Sequence, residues 1–82
     1  MAVKKKLREY ILENYLFTDD QTALNNADSF LDLGIIDSTG IMEVIFFIEE
    51  EYGFSVEDDE MIPENLDSID NLVVFIAKKT AP

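Results

Sequence analysis

Asp37 and Ser38, within Leu33-Gly34-Ile35-Ile36-Asp37-Ser38-Thr39-Gly40, are the side chains of this chain best placed to do chemistry. Two glycines and a polar pair interrupt the chain, and from Ile41 onward apolar residues recur with helical period, so the stretch reads as a loop feeding a helix. Asp37 and Ser38 both suit the N-cap, where a side-chain oxygen accepts from an otherwise unpaired backbone N–H. If Ser38 is the cap, its hydroxyl is structural. If it is exposed instead, it stands at the positive end of a helix, where a phosphate attached to it would be stabilised. Gly34 and Gly40 are of the residue type that lets another group approach the backbone closely.

Little else in the chain offers chemistry. There is no cysteine, so disulfides and thiolate metal sites are excluded. There is no histidine either, which removes the Ser-His and Cys-His nucleophile arrangements and the commonest zinc ligand. No general base accompanies Ser38, so hydrolysis and other catalysis by this chain alone are not expected. Glu57-Asp58-Asp59-Glu60 lacks the Asp-x-Asp-x-Asp-Gly order of a calcium loop, and adjacent carboxylates are usually a solvated surface; no metal site is expected there.

The elements that must position Ser38 follow from the apolar pattern. Val3, Leu7, Tyr10, Ile11, Tyr15 and Leu16 predict an amphipathic first helix over about Val3 to Phe17. A long connection runs from Thr18 to Ile36, with Phe30, Leu31, Leu33, Ile35 and Ile36 expected to pin it between helices. Within it Ser29 can start a single turn, and the loop is expected to cross from one end of the bundle to the other. The next helix runs from Ser38 or Thr39 to Tyr52, with Ile41, Val44, Ile45, Ile48 and Tyr52 on one face, widened by Met42, Phe46 and Phe47. Gly53 suits the left-handed residue after its end, with Phe54 placed for the accompanying apolar contact. Glu43, Glu49, Glu50 and Glu51 are left for solvent, and three carboxylates in a last turn oppose the helix dipole, which suggests that they answer to partners. One or two short turns fit between Glu57 and Leu66, with Pro63 in a first-turn position. A last helix, Ser68 to about Lys79, is capped by Ser68 or Asp67 and turns Ile69, Leu72, Val73 and Ile76 inward, broadened by Val74 and Phe75. The expected fold is all-α: a small four-helix bundle of three longer helices and one short segment, residues 1–82 forming a single domain.

Of the 82 residues, 18 are acidic and 6 basic, a formal charge of −12. Every basic residue lies at Lys4, Lys5, Lys6, Arg8, Lys78 or Lys79. A field of that sign repels nucleic acid and anionic membrane and steers basic protein surfaces into contact, although acidity also simply keeps a small domain soluble. The longest apolar run, Leu72 to Ala77, is too short to cross a bilayer, and the basic start leads into no signal-peptide core. A cytoplasmic monomer is expected.

Gly34-Ile35-Ile36-Asp37-Ser38 with a helix after it, and the later Pro63-Glu64-Asn65-Leu66-Asp67-Ser68-Ile69, resemble the phosphopantetheine-bearing acyl carrier proteins. The resemblance runs from about Lys4 to Lys79. It implies a carrier rather than an enzyme, with Ser38 bearing a covalent phosphopantetheine arm derived from coenzyme A and Asp37 presenting Ser38 to a phosphopantetheinyl transferase and contributing to its metal. The arm's thiol would hold an acyl or aminoacyl group as a thioester. Thr39, Glu43 and Glu49 would meet partner enzymes with basic surfaces. Val44, Ile45, Ile48, Leu66 and Ile69 would either part to shelter an acyl chain or serve as ordinary core. Two residues separate Gly34 from Asp37, and Thr39-Gly40 follows the serine where synthase-type carriers usually place leucine. This is more similar to D-alanyl and other stand-alone carriers loaded by an adenylating ligase, and implies a specialised pathway. The alternative is an unmodified acidic interaction module, such as an inhibitor or nucleic-acid mimic, that works by charge alone.

Overall fold

The computed structural model describes residues 2–81, and among them the chain forms four α-helices and no strand. They are α1 (Ala2–Ile11), α2 (Ser38–Tyr52), α3 (Pro63–Leu66) and α4 (Ile69–Thr80). Three longer helices, one short one and a long first connection make the all-α bundle that the apolar periodicity predicts.

The α1 segment stays helical beyond Ile11 but changes register, passing into a π-helical turn, Leu12–Leu16. It stops at Phe17, whose φ of 54° is left-handed and whose N–H donates to the Leu12 carbonyl. Leu12, which the predicted face omits, is fully in the core, and the residues that follow in the turn, Tyr15 and Leu16, lie at its edge.

Residues 18–37 contain only one short 3-10 turn, Gln21–Ala23, yet the connection is held tightly. Leu24, Phe30 and Ile36 are buried, and Ile35 packs partly against the core. Leu31 and Leu33, expected to pin the loop, are instead exposed. Ser29 starts the single turn expected of it: its Oγ accepts from the Asp32 N–H and its carbonyl from the Leu33 N–H. A lone turn has one inward side, and Phe30 occupies it.

Asp67 fastens that turn to the rest of the fold. Its carbonyl accepts from the Phe30 N–H at 2.9 Å, its Oδ1 from the Leu31 N–H at 2.9 Å, and its Oδ2 from the Ser29 hydroxyl. One residue into α4, the Asp70 N–H donates to the Asn26 carbonyl. Arg8 of α1 holds the other side of the loop, donating to Asn26 Oδ1 and the Gln21 carbonyl, each at 2.7 Å.

The loop does not cross the bundle as expected. Tyr15, at the end of the first helical segment, reaches Glu43 in α2, and Lys6 near the start of α1 pairs with Glu51 in the last turn of α2. The two helices are therefore antiparallel, and the loop leaves and returns at one end. Val3 shares a surface groove with Ile76, Ala77 and Thr80, which sets α4 antiparallel to α1 and parallel to α2. Parallel neighbours need a connection that travels the length of the bundle, so residues 53–68 make the crossing.

The faces of α2 and α4 are narrower than the sequence suggests. Val44, Ile45 and Ile48 are buried, but Met42 and Phe46 are 53% and 69% exposed. Phe47 is half-buried and stacks on Tyr10 with centroids 4.0 Å apart. In α4 the core side chains are Ile69, Leu72, Phe75 and Ile76; Val73 is half-buried and Val74 is 60% exposed. Ser68 is the cap, accepting from the Asn71 N–H. Gly53 ends α2 in the left-handed region at φ 73°, and Phe54 meets Phe75 edge to face.

Several acidic side chains assigned to solvent have internal duties. Glu49 is half-buried, and its Oε2 accepts from the Val56 N–H at 2.8 Å, tying down the chain after α2. Glu51 is held by Lys6. In the 3-10 turn Asp58–Glu60, Glu60 accepts from its own turn's Glu57 N–H and pairs with Lys79 at 2.8 Å.

Two outcomes follow. Asp67→Ala deletes two hydrogen bonds to a carboxylate and should cost about 2 kcal/mol in denaturant melts, with faster amide exchange confined first to residues 29–36. The Lys79 ammonium and then the Glu57 N–H hold the Glu60 carboxyl below its ordinary value of 4.5. A carboxyl whose pKa is lower in the folded state adds stability above the unfolded value and loses it as the pH falls through the folded one. Glu60→Gln should therefore melt below the parent at about pH 7, and the gap should close as melts are taken down past the ordinary carboxylate range.

Candidate functional site

The start of α2 settles how Asp37 and Ser38 divide their duties. Asp37, in extended backbone, is the N-cap: its Oδ1 accepts from the Gly40 N–H at 2.7 Å, and its carbonyl accepts from the Ile41 N–H. Ser38 is the first helical residue, and its side chain is exposed. The capping duty open to either residue falls to Asp37. Its hydroxyl stands beside the first N–H groups of a 15-residue helix, where partial positive charge accumulates.

Two surfaces flank the hydroxyl. On one side Ser38 borders an apolar groove of about 240 Å³ between α2 and α3, with Leu31, Met42, Ile45, Met61 and Leu66 among its walls. On the other side Asp37, Thr39, Gly40 and Glu43 line a shallower, more polar hollow with Tyr15. The exposed Leu31, Met42, Met61 and Ile62 all belong to the groove, so two of the side chains that departed from the predicted core, Leu31 and Met42, lie beside Ser38.

Thr39 and Glu43 are exposed on the first two turns of α2, with Ser38 and Asp37. Glu49 is not with them. It lies eleven residues along the helix, about 16 Å from Ser38 at 1.5 Å per residue, and is engaged with Val56. Val44, Ile45, Ile48, Leu66 and Ile69 are all core; Ile45 and Leu66 also border the groove, while Val44, Ile48 and Ile69 do not line it. Among the described residues no three acidic side chains converge in a way that would hold a metal ion.

Tyr15 is the site residue that sequence reasoning missed. Its hydroxyl donates to Glu43 Oε1 at 2.8 Å and lies 3.4 Å from the Gly40 carbonyl oxygen. Burial, and then the bond to Glu43, push its pKa up. Gly40 permits the contact: a Cβ there would stand 2.6 Å from Ile36 Cγ2 and 3.3 Å from Tyr15 Cε1. The glycine in the first turn was the available signal, since a residue that weakens a helix needs a packing reason.

Among the described residues no helix is long and apolar enough to cross a membrane. No family model matches the chain. It is nonetheless similar to several curated proteins. An acyl carrier protein of Buchnera aphidicola subsp. Schizaphis graminum is 35% identical over 77 residues, which are 94% of this chain and 92% of that protein. An acyl carrier protein of Desulforapulum autotrophicum is 28% identical over 80 residues, 98% of this chain and 100% of the relative. The mitochondrial acyl carrier protein 2 of Arabidopsis thaliana is 36% identical over 67 residues; the match takes in 82% of this chain, which spans about half, 51%, of the plant protein. With an end-to-end match at this level joined to an all-helical bundle and an exposed serine at a helix start, the chain belongs to the acyl carrier protein family.

Proposed function

We propose that Ser38 carries the phosphopantetheine group that membership of the family implies, and that the chain presents acyl or aminoacyl thioesters to partner enzymes in a specialised pathway. The observation that carries this reading is the exposed Ser38 hydroxyl beside a cap supplied by Asp37. A phosphodiester on that oxygen would sit at the positive end of α2, which favours it by about 0.3–1 kcal/mol at an exposed site. When bound, the arm supplies the thiol that this cysteine-free chain lacks.

What the chain's own residues do can be stated separately. Asp37 fixes the first turn of α2 through one carboxylate oxygen, so the serine is offered in a defined orientation to a phosphopantetheinyl transferase working with coenzyme A and magnesium. Thr39 and Glu43, with the exposed Met42 and Phe46 along the same helix, form an acidic and apolar docking face for partners with basic surfaces. Glu49 contributes mainly by steadying the end of α2 through Val56. The groove bordered by Ile45 and Leu66 offers an apolar cargo shelter next to its attachment point. Tethering then gives each docked enzyme a high local concentration of cargo.

The polar Thr39 and the Gly40 that follow the serine favour a stand-alone carrier loaded by an adenylating ligase over a housekeeping synthase carrier. The reading has the carrier working as a monomer in the cytoplasm, beside soluble coenzyme A. Intact mass after incubation with coenzyme A, magnesium and a broad-specificity transferase tests the core of the proposal. The parent chain should gain one phosphopantetheine, and Ser38→Ala, still folded, should gain none. No gain under conditions that modify a known carrier, or a gain that survives Ser38→Ala, would sink the assignment. An acidic module acting by charge alone would keep its activity in Ser38→Ala and lose it on reversal of Glu43.

A further inference from the structure

Three features meet beside Ser38. The first is the π-helical turn Leu12–Leu16, a geometry that recurs where something other than helix stability selects it. That turn carries Tyr15 toward the start of α2. The second is Gly40, a residue that weakens a helix interior and here leaves room first for Ile36 Cγ2, 2.6 Å from where a Cβ would stand, and then for the phenol ring at 3.3 Å. The third is the bond from the Tyr15 hydroxyl to Glu43 Oε1 at 2.8 Å. Tyr10 backs the ring edge to face at 6.0 Å and is itself stacked on Phe47 of α2, so the phenol is braced from behind.

The consequence falls on Glu43. A glutamate on an exposed helix face is free to sample rotamers, and ordering such a side chain on docking costs affinity. Bound to Tyr15, Glu43 is ordered beforehand. A carboxylate offers about four acceptor positions, so a phenol on Oε1 leaves Oε2 able to receive an ammonium or a guanidinium. We propose that Tyr15 is a positioning residue that holds Glu43 as a fixed anionic contact for the lysine or arginine an enzyme brings over Ser38. This rests on the reading that partners dock at the start of α2. Tyr15 acts through Glu43 and does not itself meet the cargo or the arm.

Tyr15→Phe tests it, because the ring and its contact with Tyr10 remain while the hydroxyl is lost; a cooperative melt and the amide spectrum establish that the variant is folded. The probe is a phosphopantetheinyl transferase with coenzyme A and magnesium, with initial rates measured against carrier concentration. Tyr15→Phe should raise KM by about two- to tenfold while kcat stays within about twofold. Glu43→Gln should raise KM at least as much, and the double variant should match Glu43→Gln alone, since the tyrosine works only through the glutamate. A KM unchanged in Tyr15→Phe, a loss confined to kcat, or additive losses in the double variant would overturn the inference. If the parent chain itself takes up no arm at Ser38 by intact mass, the functional reading falls and this inference with it, a result distinct from any of those.

Discussion

Three consecutive residues of the long first connection, Ser29, Phe30 and Leu31, all hydrogen-bond to Asp67, and most of what is distinctive in this bundle depends on that attachment. Ordering a loop costs about 1–2 kcal/mol per residue in backbone entropy, and this segment offsets it with isolated turn bonds in place of a continuous helix ladder. Bonds to residues outside the loop add to these and fix where the turns sit. Asp67 closes α3 and precedes the cap of α4, so a single residue ties the loop to the two helices that form the far wall of the bundle. Phe30 is thereby driven into the core and Leu31 is left at the rim, where it becomes a wall of the groove beside Ser38.

At the other end of the same loop, a division of labour between adjacent residues makes the site. An N-cap must turn its side chain back toward the N–H groups two or three residues on, and a hydroxyl so engaged points into the helix. Asp37 accepts that geometry, so Ser38 can occupy the first helical position with its oxygen outward. The neighbouring Gly40, Ile36 and Tyr15 close the space behind the turn. The serine side chain is thus exposed while its backbone is fixed in the first turn of the helix.

Charge is arranged more economically than its total suggests. Lys6 and Lys79 each hold a carboxylate from another element, so part of the small basic complement serves the fold. Pairs of this kind at or near the surface contribute little each. The start of α2 has no basic side chain near it in sequence. On the proposed function, a basic enzyme surface approaching Ser38 would meet the acidic Glu43 next to exposed Met42 and Phe46, a combination that favours fast encounter and an apolar anchor once docked.

Helical period and end signals in the sequence determined the four helices, the left-handed Gly53, Pro63 in the first turn of α3, and the loop that feeds Ser38, because these depend on residues within a few positions of one another. Family resemblance lay in the same local pattern around Asp37 and Ser38. What only tertiary structure decided were contacts between distant segments: Asp67 with Ser29, Tyr15 with Glu43, Glu49 with Val56. The same holds for which apolar residues go inside. Met42, Phe46, Val74, Leu31 and Leu33 are as hydrophobic as the core residues beside them, but the bundle's few interior faces were already filled, and hydrophobicity does not state which side of a helix will find a neighbour. The direction of the loop was hidden for the same reason: composition along the chain does not reveal whether its ends return to one end of the bundle, and only the pairing of Tyr15 with Glu43 and Lys6 with Glu51 shows that they do.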